Sequence, residues 1–446
     1  IHIGNNISLR AANTGHILLN SDITSSSNYN LSLSVSDSDL QIQNVALIGD
    51  LTIENASNLT TLSGDINISG TLSASSTPSI TLIGDRSINA YNGIDFSTSK
   101  IISDTANSSN ISLAAFDSVN NSLATISISD ITADTLAIKS SELILNGDIT
   151  TSLNTANSLD LSQSGTITLA TDSALYGNLN LTSSASTVAI NSQSANNTRN
   201  LSIEFGNQNF TIGLIGYDTP LQSLSINGTG ILTLNTASTV DASFPIPKTD
   251  GTNGISLLGN LVLTLDQDLF INSAASNGDI NLSGLSINGP FAVNLASGAG
   301  NISLGEIGLI TPIASITTDT TGIINLHGNI INTDLIFDFS SASSILLNDN
   351  ITLGTSELHL TSADFGNNTI DGNYNFTLYT NSLSWGAIGQ DIALQNINIY
   401  STDLALSITE NINLAGDFNL ELSSLALSSK VVTTGGNVSV NATNNI

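Results

Sequence analysis

The 446-residue chain contains no cysteine and no methionine. Without cysteine it has no disulfide, no thiol nucleophile and no thiolate ligand for a metal. This absence suits a protein exported unfolded through an oxidising periplasm, and chance in a biased composition explains it equally well. No run of about 18 apolar residues occurs, so no transmembrane helix is predicted.

Basic residues are also scarce. Seven Lys and Arg stand against 36 Asp and Glu, and the net charge is -29. The basic residues are scattered along the chain, at Arg10, Arg86, Lys100, Lys139, Arg199, Lys248 and Lys430. Nucleic-acid binding requires a clustered basic surface, and anionic membranes repel an acidic protein, so neither partner is expected. The diffuse negative charge is interpreted as a device that keeps long particles apart.

The remaining composition favours β-structure. Aromatic residues make up 4% of the chain and charged residues 10%, while hydrophobic residues reach 40%. These are mainly Ile, Leu, Val and Ala, and Ser, Thr and Asn fill most of the rest. β-Branched residues with few charges favour strands over helices. The apolar fraction is too high for a disordered chain.

A short phrase, Gly-[Asp/Asn]-apolar-x-apolar, recurs along the sequence. Copies lie at residues 49–53, 64–68, 177–181, 259–263, 278–282, 300–304, 416–420 and 436–440. Neighbouring copies are about 15 to 22 residues apart, a spacing typical of short-period repeat architectures. The second apolar positions are predicted to be buried at comparable places in successive repeats: Ile53, Ile68, Leu181, Leu263, Leu282, Leu304, Leu420 and Val440.

Apolar and polar residues alternate over most of the chain, as at 30–35, 124–129 and 411–414. This period of two indicates strands buried on one face. Asn-Gly pairs, such as Asn92-Gly93 and Asn288-Gly289, favour hairpins and would by themselves suggest an antiparallel sandwich or barrel. The repeat occurs once per roughly 20 residues instead of once per hairpin. The prediction is therefore an all-β protein, a right-handed parallel β-helix (β-solenoid) of roughly 20-residue coils with essentially no α-helix.

The whole chain, 1–446, is predicted to be one continuous solenoid rod, either a window of a longer chain or a unit that stacks end to end. Residues 217–250 contain Pro220 and are predicted to form a loop insertion. Within this segment, the best candidate for a lateral binding contact is the run Phe244, Pro245, Ile246, Pro247 and Lys248. The favoured interpretation is nevertheless that the insertion binds no partner. In an aromatic-rich segment, Tyr374, Phe376 and Leu378 share parity and are predicted to lie in the core.

No catalytic, cofactor or metal motif emerges, and the chain is predicted not to be an enzyme. The four histidines, His2, His16, His327 and His359, lack the spacing of a zinc site. Asp37-Ser38-Asp39 resembles the opening of a calcium loop but lacks its glycine and glutamate. Asn332-Thr333-Asp334 matches one segment of pectin-degrading β-helix hydrolases, whose Asp-Asp, Gly-His-Gly and Arg-x-Lys segments are missing; we interpret this match as coincidence.

Gly-Asn-Ile-Ser-Leu at 300–304, Gly-Asp-Ile-Asn-Ile at 64–68 and Gly-Asp-Ile-Asn-Leu at 278–282 resemble the repeats of filamentous-haemagglutinin-type adhesins. That resemblance implies a very long β-helical protein that a Gram-negative bacterium secretes by two-partner secretion to its surface. The expected function is a structural rod of a surface adhesin or biofilm-matrix fibre. Its expected partners are other copies, neighbouring fibres, and host or cell-surface glycans or proteins bound through other regions. The alternatives are a self-assembling sheath or surface-layer protein and, third, a polysaccharide-degrading enzyme.

Overall fold

The computed structural model describes residues 1–36, 38–55, 60–74, 76–103, 109–116, 122–152, 158–171, 173–177, 179–181, 188–193, 199–205, 210–212, 221, 223–227, 231–234, 240–241, 254–258, 261–265, 268–274, 277–330, 336–356, 359–401, 403–427 and 432–443. These residues form strands and turns and contain no α-helix. The predicted all-β class is confirmed.

The chain folds as two compact units, Ile1–Leu221 and Gln222–Ile446. In each unit the strands pair in parallel with strands one coil away, so each unit is a parallel β-solenoid. Among the described residues, one antiparallel bridge joins Phe116 to Leu123. That the chain forms one continuous rod stays a prediction.

In the first unit each coil has three sides, and the strands on one side stack into a column. The first column contains His2–Ile3, Ile23–Ser25, Val45–Leu47, Ile66–Ile68, Arg86–Ala90, Asn110–Ala115 and Leu179–Asn180. The second contains Ile7–Ala11, Leu31–Val35, Leu51–Asn55, Leu72–Ser73, Ile94–Phe96, Thr125–Ile128 and Ala189–Ser192. The third contains Ile17–Leu19, Leu40–Ile42, Thr60–Leu62, Ser79–Leu82, Lys100–Ser103, Ile131–Thr132, Ile149–Thr150, Ser173–Tyr176 and Asn200–Glu204. Thr135–Leu145 and Leu159–Leu169 run through both the first and second columns, and Phe210–Ile212 is a further strand.

The second unit has the same three-sided plan. One column contains Val240–Asp241, Leu269–Asn272, Val293–Gly298, Ile316–Thr320, Ile336–Asp338, Ser362–Asp364 and Leu383–Ser384, and Ala405–Ile408 pairs with Ser424–Leu427. Another contains Ser223–Asn227, Gly254–Leu258, Asp279–Leu282, Ile302–Leu304, Ile323–Leu326, Ser344–Leu347 and Thr369–Asp371, followed through a bridge at Ile388 by Ile412–Leu414 and Val432–Thr434. The third contains Ile231–Leu234, Leu261–Thr264, Leu285–Asn288, Ile351–Leu353, Phe376–Tyr379, Ile397–Tyr400, Phe418–Leu422 and Val438–Ala442, with single bridges at Ile307 and Ile330.

The coil length agrees with the predicted repeat. Ile66 pairs with Ile88 in the first unit, and Ile280 pairs with Ile302 in the second. Polar hydrogen bonds between successive coils commonly join residues 22 apart, with 18 and 26 also seen. Corners absorb the extra residues, because a turn can lengthen without disturbing the paired strands on either side.

The predicted core is largely correct. Seven of the eight predicted positions are at most 3% exposed: Ile53, Ile68, Leu181, Leu263, Leu282, Leu304 and Leu420. Val440 is half-buried; it lies in the last described strand, which pairs on one side with Phe418–Leu422. The expectation of comparable places in the coil was wrong. Ile53 and Ile68 lie in different columns, because the repeated phrase serves more than one corner of a coil.

The corners explain why the phrase begins with Gly-[Asp/Asn]. The Asx side chain accepts a hydrogen bond from the backbone N–H one coil further on: Asn44 Oδ1 from Asp65, 2.9 Å, and Asp65 Oδ1 from Ser87, 2.9 Å. We call this contact the Asx cap. Within the repeated phrase the residue before the Asx is glycine, because a Cβ atom on Gly64 would lie 2.3 Å from the Asn44 nitrogen, and one on Gly436 would lie 2.2 Å from Asp417 Oδ1.

One Asx cap gives a pH-dependent prediction. The Asp85 carboxylate accepts the backbone N–H of Asn110 at 2.8 Å and its side-chain amide at 3.1 Å. These hydrogen bonds, with a smaller contribution from Arg86, hold the pKa of Asp85 below its usual 3.8. A carboxyl with a lowered pKa stabilises the fold above its unfolded-state pKa and loses that contribution as the pH falls through the folded value. Amide exchange at Asn110 should therefore quicken below pH 3.8, relative to its intrinsic rate.

The control is Asp85→Asn, which keeps the side-chain oxygen acceptor and removes the titration. In this variant the exchange rate of the Asn110 amide should not rise at low pH beyond its intrinsic rate. An equal rise in both proteins would show that the Asp85 carboxylate is not responsible.

Three other local features of the sequence analysis can be compared with the structure. Gly93 and Gly289 have positive φ, at 121° and 128°, and form corners between parallel columns, in agreement with the choice of a solenoid over hairpins. Phe376 and Leu378 are fully buried as predicted, whereas Tyr374 is 38% exposed, because it lies in the corner before the strand Phe376–Tyr379. Strands Ser223–Asn227, Ile231–Leu234 and Val240–Asp241 lie within the predicted insertion 217–250, so at these residues the chain continues its coils.

Candidate functional site

The described residues contain no group of three or more His, Asp or Glu arranged to hold a metal ion. The histidines lie apart in the sequence and in different contacts. His2 Nδ1 lies 3.1 Å from Thr24 Oγ1, and His16 lies 3.9 Å from the Asp39 carboxylate. Burial lowers the pKa of His327, although the nearby Asp349 carboxylate opposes the shift.

Several residues singled out from the sequence lie outside the described residues. These are the proposed lateral contact residues Phe244, Pro245, Ile246, Pro247 and Lys248, together with Asp37 and the Asn332-Thr333-Asp334 triplet. Their roles stay predictions.

Sequence reasoning missed a second repeat, Gly-x-Ile-Gly-x₄-apolar-x₂-apolar. Copies occupy residues 213–224, 305–316 and 386–397. The last two apolar positions are buried in every copy: Leu221 and Leu224, Ile313 and Ile316, Leu394 and Ile397. The repeat is visible in the sequence, but its first copy, 213–224, overlaps the start of the segment 217–250 that was predicted as an insertion.

The two later copies form loops with the same hydrogen bonds, and we call them the Gly-x-Ile-Gly loops. Asn288 Oδ1 accepts the backbone N–H groups of Ile310 and Thr311, at 2.8 and 3.3 Å. Asp371 Oδ1 accepts those of Asp391 and Ile392, at 3.0 and 3.2 Å. Each buried acceptor thus anchors a loop in the next coil.

Both loops place aliphatic side chains on the outer surface. Ile310 is 74% exposed, Leu309 47% and Ile392 48%. These three residues are among the twelve exposed large apolar side chains of the described residues, and Leu309 and Ile310 are adjacent in one loop.

An aromatic row lies on the outside of the same unit. The rings of Tyr379 and Tyr400 stack with centroids 4.9 Å apart and planes 19° apart, because these residues pair in register on successive coils. His359 packs against Tyr379 at 5.7 Å. Both tyrosines are half-buried and point away from the core, since their neighbours Leu378 and Ile399 are fully buried.

A cleft of about 300 Å³ lies between this row and the Gly-x-Ile-Gly loop at residues 305–316, and we call it the Tyr379 cleft. Its lining includes Leu309, Asn329, Thr352, Gly354, Thr355 and Tyr379. A second cleft, of about 380 Å³, shares Leu309 with the first and includes Glu306, Ile310 and His327. The Tyr379 cleft combines a tyrosine ring with uncharged hydrogen-bonding side chains, whereas the second cleft includes the carboxylate of Glu306.

Comparisons with protein-family models, with curated proteins and with solved structures gave no match. No helix among the described residues is long and apolar enough to cross a membrane. The parallel β-solenoid, which is compatible with a β-helical repeat protein, is thus the class that the structure defines.

Proposed function

We propose that the chain is a structural rod segment of a secreted bacterial surface adhesin or biofilm-matrix fibre. The observation that carries this proposal is the ladder of parallel strands in each unit, repeated coil after coil. The resemblance of the Gly-[Asp/Asn] phrase to filamentous-haemagglutinin-type repeats supports an extracellular location on a Gram-negative bacterium.

Solenoid physics suits the spacer role. Each coil contacts its neighbours, and its stability is close to a sum of coil and interface terms. Stacked strands lie about 4.8 Å apart, so every coil adds a similar length. The acidic surface favours separation of parallel rods in solution.

The test removes one whole coil in the producing cell. Ile280 pairs with Ile302, so deletion of residues 280–301 places Ile302 at the strand position of Ile280 and preserves the strand register. We expect the shortened protein to remain accessible to protease on intact cells and cell attachment to be retained. Deletion of 280–290 is the matched control, because half a coil destroys the register and should abolish surface display.

Three outcomes would contradict the proposal. Retention of the intact protein inside the cell would refute a surface role, and equal behaviour of the two deletions would refute the spacer role. Filaments longer than one chain that persist on dilution, seen by electron microscopy, would favour the sheath or surface-layer alternative.

A further inference from the structure

We propose that the Tyr379 cleft binds a neutral pyranose unit of a glycan chain. This lateral site would be additional to the spacer role, and it does not depend on that role.

The cleft arises because one position in the outward-facing row that contains Tyr379 is a glycine and has no side chain. Leu353 pairs with Leu378, so Gly354 stands one coil before Tyr379 in the same row. Gly354 has φ of 74° and no side chain, and its backbone conformation disfavours any other residue. The space left beside the tyrosine ring forms part of a cleft of about 300 Å³, the lower end of small-ligand sites.

The aromatic face is held in place before any ligand arrives. Tyr379 is stacked on Tyr400 on one coil and touched by His359 from another. A fixed ring loses little conformational freedom on binding. The apolar C–H face of a pyranose packs on such a ring, while its hydroxyl groups project sideways, and this pairing needs polar groups around the ring's edge.

The lining supplies those polar groups. Asn329 Oδ1 accepts the Thr352 backbone N–H at 2.7 Å, which fixes the carboxamide. Its Nδ2 has no hydrogen-bond partner among the described residues and can donate to a ligand. Thr352 and Ser356 line the same cleft, and their hydroxyl groups can donate or accept.

Charge selects a neutral ligand. Among the described residues that line the cleft, none is charged. A uronic acid or sulfated sugar would meet no cation among these described lining residues and would approach a chain of net charge -29. Leu309, from the Gly-x-Ile-Gly loop, adds an apolar contact.

The experiment measures retardation of the purified full chain in native gels that contain one soluble polysaccharide each. The probes are the neutral polymers mannan, dextran, xyloglucan, galactomannan and hydroxyethyl cellulose, with polygalacturonate as the anionic probe. We expect retardation by at least one neutral polymer and none by polygalacturonate. Tyr379→Ala should weaken that binding by about tenfold or more, since it removes the stacking surface.

Two further variants separate binding from folding. Tyr379→Phe keeps the ring and should retain most of the affinity, and Thr352→Val keeps the shape but removes a hydroxyl and should weaken binding severalfold. Tyr176→Ala, at a half-buried tyrosine of the first unit, is the matched control and should bind like the wild type. The proposal is overturned if no neutral probe binds, if binding survives both Tyr379→Ala and Thr352→Val, or if polygalacturonate is the preferred ligand.

Discussion

Replacement of Ile302 by aspartate is expected to lower the free energy of unfolding of the second unit by roughly 3 to 5 kcal/mol. Ile302 is fully buried and pairs with Ile280 on one side and Ile324 on the other. A carboxylate at this position would lie between the aliphatic side chains of Ile280 and Ile324. The group must therefore be buried unpaired or take up a proton, and both options destabilise the coil.

Hydrogen exchange measured by mass spectrometry tests the size and the reach of this effect. Protection should fall in the coils around Ile280, Ile302 and Ile324, whereas strands of the first unit such as Leu31–Val35 should stay protected, because solenoid coils depend on their neighbours. The control is Ser303→Asp, whose side chain lies on the outer side of the same strand and should change little. A single loss of protection over both units would refute the nearest-neighbour description.

Gly300→Ala is expected to destabilise the second unit by about 2 to 3 kcal/mol. A Cβ atom there would lie 2.3 Å from the carbonyl oxygen of Gly278, and a Cβ on Gly322 would lie 2.3 Å from that of Gly300. These are backbone atoms of the preceding coil, so they cannot rotate away as a side chain can. The two coils would have to separate and lengthen their hydrogen bonds.

Chemical denaturation monitored by circular dichroism measures the loss. Gly4→Ala provides the matched control, because a Cβ atom on Gly4 meets no atom within 4 Å. Its unfolding midpoint should stay close to that of the wild type. A Gly300→Ala protein as stable as Gly4→Ala would show that close approach does not explain the glycine in the repeated phrase.

Much of the fold could be predicted because the alternation of apolar and polar residues shows directly which side chains face the core. Alternation identifies Ile302 and Leu304 as buried whatever the column in which their strand lies, since one face of every strand meets the core. The column could not be predicted. Ile53 and Ile68 follow the same phrase, and the phrase fits any corner where an Asx cap and a close approach coincide.

The candidate site was less predictable, because it depends on register between coils. Tyr379 and Tyr400 are 21 residues apart, and alternation alone does not reveal that their rings stack on the outside. The same holds for Gly354, whose significance comes from standing one coil before Tyr379. Leu309 and Ile310 are apolar in sequence and exposed in the structure, since the Gly-x-Ile-Gly loop turns them outward.

The Asx cap allows the net charge of the protein to change while its fold stays the same. Asn288 and Asp371 hold equivalent loops with equivalent hydrogen bonds, and Asn44 and Asp65 cap successive coils in the same way. A carboxamide and a carboxylate each supply the one acceptor oxygen that the corner requires. Exchange of Asp and Asn at these positions by mutation alters the electrostatic field while the backbone keeps its hydrogen bonds. The repulsion between neighbouring molecules can thus be tuned over evolutionary time without redesign of the fold.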